Sequence, residues 1–278
     1  MRILAILPYQ PKLLKALADA VKLEIGSFIL VGDKTKIIES CYRAHIDIGI
    51  FVIYHYQLDI DSVDYARDVL RERKVDYLLF GDVPEMYQIK ILGANDALSL
   101  GNIDIIDLPM LRHFLFLVNH SRHYYVDYVD KKQAVIRANQ MMKKLGYKKT
   151  NCVLITNPNI KTDVLEANII KALIMEDNDD IEFNFQDMKS LFSEKSDLNI
   201  YNHNINLLIM RNHETSRILV NTISAFLKAR IGSLIYTENH LAIDSSLLDD
   251  REDIIFSLLI LHKLSQANSI CLNRKSMV

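Results

Sequence analysis

Three groups of residues have types and spacings that could do chemistry. The first is Ser246 with Asp249 and Asp253 behind it. Acids four residues apart share one face of a helix, so either carboxylate could act as a base beside the hydroxyl. The same residues also spell a helix start, with Ser246 as N-cap and Asp249 at the third helical position, where a negative charge suits the helix dipole. The second group is His120 and His123, separated by Ser121 and Arg122. Their spacing could hold a metal on a helix, but no carboxylate pair or cysteine accompanies them, so no metal site is expected. The third is the cysteines. Cys41, Cys152 and Cys271 are widely separated, form no metal-ligand pair, and read as small buried hydrophobes in a reducing compartment.

Composition narrows the classes further. The 278 residues are half apolar, enough for one large core or two modest ones, and the length favours two domains. Thirty-three basic and 35 acidic residues leave a formal charge of -2. They are spread along the chain, so no basic face for nucleic acid or an anionic membrane is expected. The apolar start reaches Pro8 without a leader pattern, and the longest apolar runs, 48–54 and 254–261, fall well short of the roughly 20 residues that span a bilayer. The expected location is cytoplasmic.

The elements that must position these side chains follow from hydrophobic periodicity. Runs at 3–7, 27–31, 46–54 and 77–80 read as strands, and helical spacing appears at 11–23, 34–42 and 62–73. After a helix over 127–145 the pattern restarts with strands at 151–156, 181–185 and 205–210 and helices at 163–176 and 214–230. A strand at 231–237 and a helix at 249–266 close the chain. Alternation of this kind predicts largely parallel sheets covered by helices on both faces. Neither an acidic metal-binding cluster nor a glycine-rich dinucleotide loop is present.

The stretch Asn206-Leu207-Leu208-Ile209-Met210-Arg211-Asn212-His213-Glu214, then Lys228-Ala229-Arg230-Ile231-Gly232, then Ser245-Ser246 before the last helix resembles the phosphate acetyl/butyryltransferase family. The butyryltransferase-like branch is nearer. Ile29 to Lys34 and Lys74 to Gly81 are similar to that family's early strand-and-turn and strand-and-glycine segments. The resemblance covers nearly the whole chain. It implies an α/β fold of two α/β/α domains with largely parallel sheets and an interdomain cleft, the architecture shared with isocitrate and isopropylmalate dehydrogenases. The expected division is residues 1–126 plus 236–278 as one domain and 127–235 as an inserted second.

The resemblance further implies transfer of a short acyl group between coenzyme A and inorganic phosphate, giving an acyl phosphate. Acyl-CoA and phosphate are then substrates, with no tightly bound cofactor, no metal and no nucleic-acid partner, and the protein is expected as a homodimer through its second domain. Ser246 would donate to the developing oxyanion, and Asp249 or Asp253 would be the thiol base. Gly81, Asn157, Asn212, Glu214 and Ser245 would contact substrate. The sequence departs from the pattern in places. Leu247 stands where the family has arginine after the serine, and Phe80 where it often has lysine. The chain has 8 glycines, about 3% against a usual ~7%, so loops that would cradle phosphate are filled in. Arg211 and Arg217 are candidates to restore the missing positive charge. The alternative function is a catalytically degenerate relative that keeps the fold for ligand sensing or partner binding.

Overall fold

A computed structural model describes residues 1–94, 100–119, 127–176, 178–201, 204–237 and 239–275. The chain divides into two compact units, residues 1–100 with 232–278, and residues 101–231. The first begins with β1 (Arg2–Ile6), α1 (Pro11–Lys22), β2 (Ser27–Gly32), α2 (Lys34–Arg43), β3 (Val52–His55), α3 (Asp59–Arg71), β4 (Tyr77–Phe80) and α4 (Glu85–Leu92). The second holds β5 (Gly101–Asp107), β6 (Leu115–Asn119), α5 (Tyr128–Lys144), β7 (Thr150–Ile155), α6 (Lys161–Met175), β8 (Ile181–Gln186), α7 (Met188–Leu191), β9 (Leu207–Ile209) and α8 (His213–Leu227). The chain then returns through β10 (Arg230–Tyr236), β11 (Leu241–Asp244) and α9 (Arg251–Lys275).

The boundary at residues 100/101 differs from the 126/127 read from sequence, and the reason is strand pairing. β5 and β6 form an antiparallel hairpin, and β6 pairs in parallel with β9, so both hairpin strands join the sheet of the second unit. The hairpin itself, α4 and β11 were not read from sequence. β11 is only four residues long, and α4 has an apolar pattern too short to separate from a loop.

In the first unit the strands lie in the order β3-β2-β1-β4-β11-β10, parallel except for β10, which runs antiparallel to β11. Side chains alternate across the strands. Leu4, Ile6, Val31, Leu78, Phe80 and Ala242 turn to one face and pack under Val63, Ala66, Val69 and Leu70 of α3 and Ile91 and Leu92 of α4. The alternate residues Ile3, Ala5, Leu79 and Ile243 are equally buried, on the side where α1 packs on α2 and α9. Pro11 sits in the first turn of α1, where its missing N–H costs nothing, and Asp33 caps α2 by accepting from the Thr35 N–H at 2.9 Å.

In the second unit the order is β5-β6-β9-β7-β8, parallel from β6 to β8. One face carries Leu115, Leu117, Val153, Ile155 and Leu208 against Val220 and Ile223 of α8. On the other, α5 packs against β6, β7 and β9 and against α6. The nearly buried Lys131 of α5 pairs with Glu166 of α6 at 2.7 Å. Each unit is thus a helix-covered, largely parallel sheet, as its alternating elements require.

One close approach decides what the end of β4 can be. The Gly81 N–H donates to the Ile6 carbonyl and the Asp82 N–H to the Leu7 carbonyl, both at 2.9 Å. A Cβ on Gly81 would overlap the Leu7 carbonyl oxygen and lie 2.9 Å from the Pro8 Cα. Both obstacles are backbone and cannot step aside. Gly81→Ala is expected to cost about 1–3 kcal/mol by overpacking, read as a lower urea midpoint with an unchanged slope. An unchanged midpoint would mean that the two chain segments are not packed this way.

Candidate functional site

Loops after the carboxyl ends of parallel strands are where open α/β sheets carry their chemistry, and each unit presents its predicted residues there. In the first unit, β11 pairs with β4 in parallel, with Asp244 level with Phe80. Gly81 and Ser245-Ser246 therefore leave adjacent strand ends. In the second unit, β9 pairs with β7, with Ile209 level with Leu154. This brings Asn157 and Asn212 to the ends of adjacent strands, with Glu214 in the first turn of α8.

The serine turn is held by a residue that was not singled out from sequence. Asp244, almost fully buried, accepts from the Ser246 N–H through Oδ1 at 2.9 Å and from Gln88 Nε2 through Oδ2 at 3.1 Å. The signal was available, since Asp-Ser-Ser after an apolar run is a capping phrase. Residues Ser245–Leu247 form a single 3₁₀ turn capped by Asp244. Ser246 is exposed. Ser245 is 0% exposed, and its hydroxyl has no hydrogen-bond partner among the described residues.

This geometry corrects two expectations. Ser246 does not cap the last helix, because α9 starts only at Arg251. Asp249 and Asp253 do not share a helix face, because Asp249 precedes the helix and is exposed, whereas Asp253 lies in its first turn and is 5% exposed. The intervening chain is pinned from α1, where Lys12 Nζ donates to the carbonyls of Leu248 at 2.9 Å and Asp249 at 3.3 Å. Lys12 thereby brings a positive charge to this loop.

Elsewhere on the same edge the space is filled. Phe80 is fully buried in the core. Tyr9 lies over Gly32, where its hydroxyl would be 2.8 Å from a Cβ. That hydroxyl accepts from the Asp33 N–H at 2.9 Å and donates to Asp59 at 3.2 Å. Burial, with the neighbouring carboxylate of Asp59 adding to it, pushes the Tyr9 phenol up to about 12.

In the second unit the predicted contacts have local duties. Asn157 accepts from the Asn159 N–H at 3.0 Å, closing the turn after β7. Asn212 caps α8, accepting from the Thr215 N–H at 2.9 Å and its hydroxyl at 2.7 Å. Glu214 is exposed in the first turn, favourable to the dipole. The two candidate compensating arginines each face a carboxylate of their own unit: Arg211 pairs with Asp163 at 3.2 Å and Arg217 with the fully buried Asp104 at 3.7 Å. His120 and His123 lie outside the described residues. Among the described residues no group of three or more histidine, cysteine or acidic side chains is placed to hold a metal, and no helix is long and apolar enough to cross a membrane.

Two α/β/α units of this order define a fold shared by phosphate acyltransferases and a set of dehydrogenases. The structure is similar to that of a branched-chain phosphotransacylase from Enterococcus faecalis V583, with a TM-score of 0.75 at 16% identity over 95% of this chain and 100% of that one. It is similar to a phosphotransacetylase from Streptococcus pyogenes, at 0.69 and 11% identity over 97% of this chain and 94% of the other. A 4-hydroxythreonine-4-phosphate dehydrogenase from Burkholderia phymatum follows at 0.61 and 11% identity, covering 95% of this chain and 98% of that one. At these identities the likeness is one of fold. No protein-family model and no curated protein sequence matches the chain.

Among the described side chains, the thiols of Cys41 and Cys152 take no part at either edge. Cys41 and Cys152 are buried, and burial raises both above the ordinary thiol value. Mass-spectrometric mapping after treatment with a thiol reagent at pH 8 is expected to find both unmodified in the folded protein and modified in urea. Rapid native labelling of Cys152 would contradict the burial described.

Proposed function

We propose that this protein is a phosphate acyltransferase acting on short acyl-CoA thioesters. The observation that carries the reading is the exposed Ser246, on a turn fixed by Asp244 at the carboxyl edge of β4 and β11, in a chain whose fold matches phosphotransacylases over nearly its whole length. In the proposed reaction a phosphate oxygen attacks the thioester carbonyl, a C–O bond forms, the C–S bond breaks, and coenzyme A leaves as the thiolate. Ser246 donates to the carbonyl oxygen as it gains charge. In the reverse direction a carboxylate takes the thiol proton. Asp249 suits that role better than Asp253, since it is exposed in the loop three residues after Ser246 and Asp253 is buried. Gly81, Asn157, Asn212 and Glu214 are assigned substrate contacts by the same reading, and Ser245, expected from the resemblance to join them, is left out because it is 0% exposed. Lys12 supplies the positive charge where Leu247 replaces arginine.

The test is release of free coenzyme A from acetyl-, butyryl- and branched acyl-CoA, with and without phosphate. Phosphate-dependent release is expected, with Ser246→Ala lowering kcat by roughly 10²–10³-fold, the cost of losing one oxyanion donor. Ser245→Ala, which removes a buried hydroxyl without a partner, is expected to keep activity. The second reading, a degenerate relative that binds a ligand or partner without turnover, is favoured by the buried Phe80 and by the carboxylates facing Arg211 and Arg217. Absence of release from every thioester would select it.

The proposal includes a homodimer through the second unit. On α8, Ile218 and Phe226 are 67% and 81% exposed and eight residues apart, hence on one helix face. Exposed apolar side chains aligned in this way mark an interface. Phe226→Asp is expected to convert a dimer to a monomer in sedimentation velocity. A wild-type monomer, or a variant that stays dimeric, would remove α8 from the interface.

A further inference from the structure

The first unit contains a cavity of about 890 Å³ at the edge of the sheet opposite the serine turn. Its place follows from the strand directions. Tyr77 opens β4, and Asn239 and His240 precede β11, which runs parallel to it. These strands therefore begin at the cavity and end at Gly81 and Ser245.

The polar lining comes from three separate parts of the chain: Arg71 at the end of α3 with Arg73 and Asp76 after it, Asn239 and His240 before β11, and Ser265 of α9. Neither arginine has an ion-pair partner among the described residues. The acids nearby are engaged: Glu72 pairs with Lys74 at 2.5 Å, and Asp76 Oδ2 accepts from the Arg2 N–H at 2.7 Å. Burial, and then the charge of Arg73, hold the His240 imidazole below the ordinary histidine value. Arg73 also has φ of 55°, a left-handed conformation rare for a side chain of its size. The chain turns there and carries two guanidinium groups, two residues apart, to one mouth.

We propose that this cavity is a binding site for a phosphorylated small molecule of nucleotide size, held at its phosphates by Arg71 and Arg73. Arginine forks match phosphate oxygens two at a time. The volume lies in the range of small-molecule pockets. Asn239 and His240 add hydrogen-bonding capacity around the charged end. The site is separate from the serine turn, so it needs no catalysis to be detected.

Calorimetric titration of the full chain with ADP, pyrophosphate and adenosine tests the proposal. Saturable binding of ADP and pyrophosphate is expected, with adenosine at least tenfold weaker. Arg71→Ala/Arg73→Ala should weaken ADP at least tenfold while leaving the thermal midpoint of the unliganded protein unchanged, since both side chains are exposed. Ser246→Ala should bind ADP as the wild type does. The proposal is overturned if neither anion binds at millimolar concentration, if adenosine binds as well as ADP, or if Ser246→Ala abolishes binding and the double arginine variant does not.

Discussion

The carboxyl edge of the first unit depends on the parallel pairing of β11 with β4. Residues 78–80 meet residues 242–244 after the whole second unit has intervened in sequence. Closing so long a loop costs only slightly more entropy than closing a short one, because the cost rises with the logarithm of length. Ala242 and Ile243 meet it with complete burial. The pairing then dictates the rest: Asp244 reaches Gln88 of α4, Ser246 is presented to solvent, and Gly81 must be bare to let the end of β4 lie against Leu7.

The alternating units, most strands and most helices of this fold were legible because hydrophobic period and caps agree along the chain. β1 and β7 are apolar runs between turns, and Asp33, Asp127 and Asn212 each cap the helix that follows. The parts that were not legible are short or context-dependent. β11 has four residues, and β5 carries the buried Asp104, whose charge reads as exposed until Arg217 arrives from α8. The start of α9 was misplaced because Ser246 and Asp249 satisfy a capping pattern, whereas the turn is capped by Asp244 one strand end earlier.

The site divides in the same manner. Strand order alone brings Gly81 beside the two serines and Asn157 beside Asn212, and those juxtapositions were implicit in the resemblance. Burial was not. Ser245 and Asp253 are inside and Ser246 and Asp249 outside, a distinction set by a 3₁₀ turn that no periodicity announces. The cations were equally context-bound: Arg211 and Arg217 face carboxylates in their own unit, while Lys12, in an ordinary amphipathic helix, reaches the loop before α9.

The nesting of the two units sets an order of assembly during synthesis. Residues 101–231 are contiguous, so the second unit has all its strands once β9 and α8 have left the ribosome. The first unit waits. Its strands β1 to β4 emerge early, but the edge of β4 has no neighbour until residue 244 is made, and α1 lacks its partner α9 for longer still. An apolar strand edge left open through the translation of some 160 residues, at ~5–20 residues per second, is exposed to other chains for seconds. The arrival of β11, residues 241–244, therefore releases the first unit from a state in which it is prone to pair with the wrong strand.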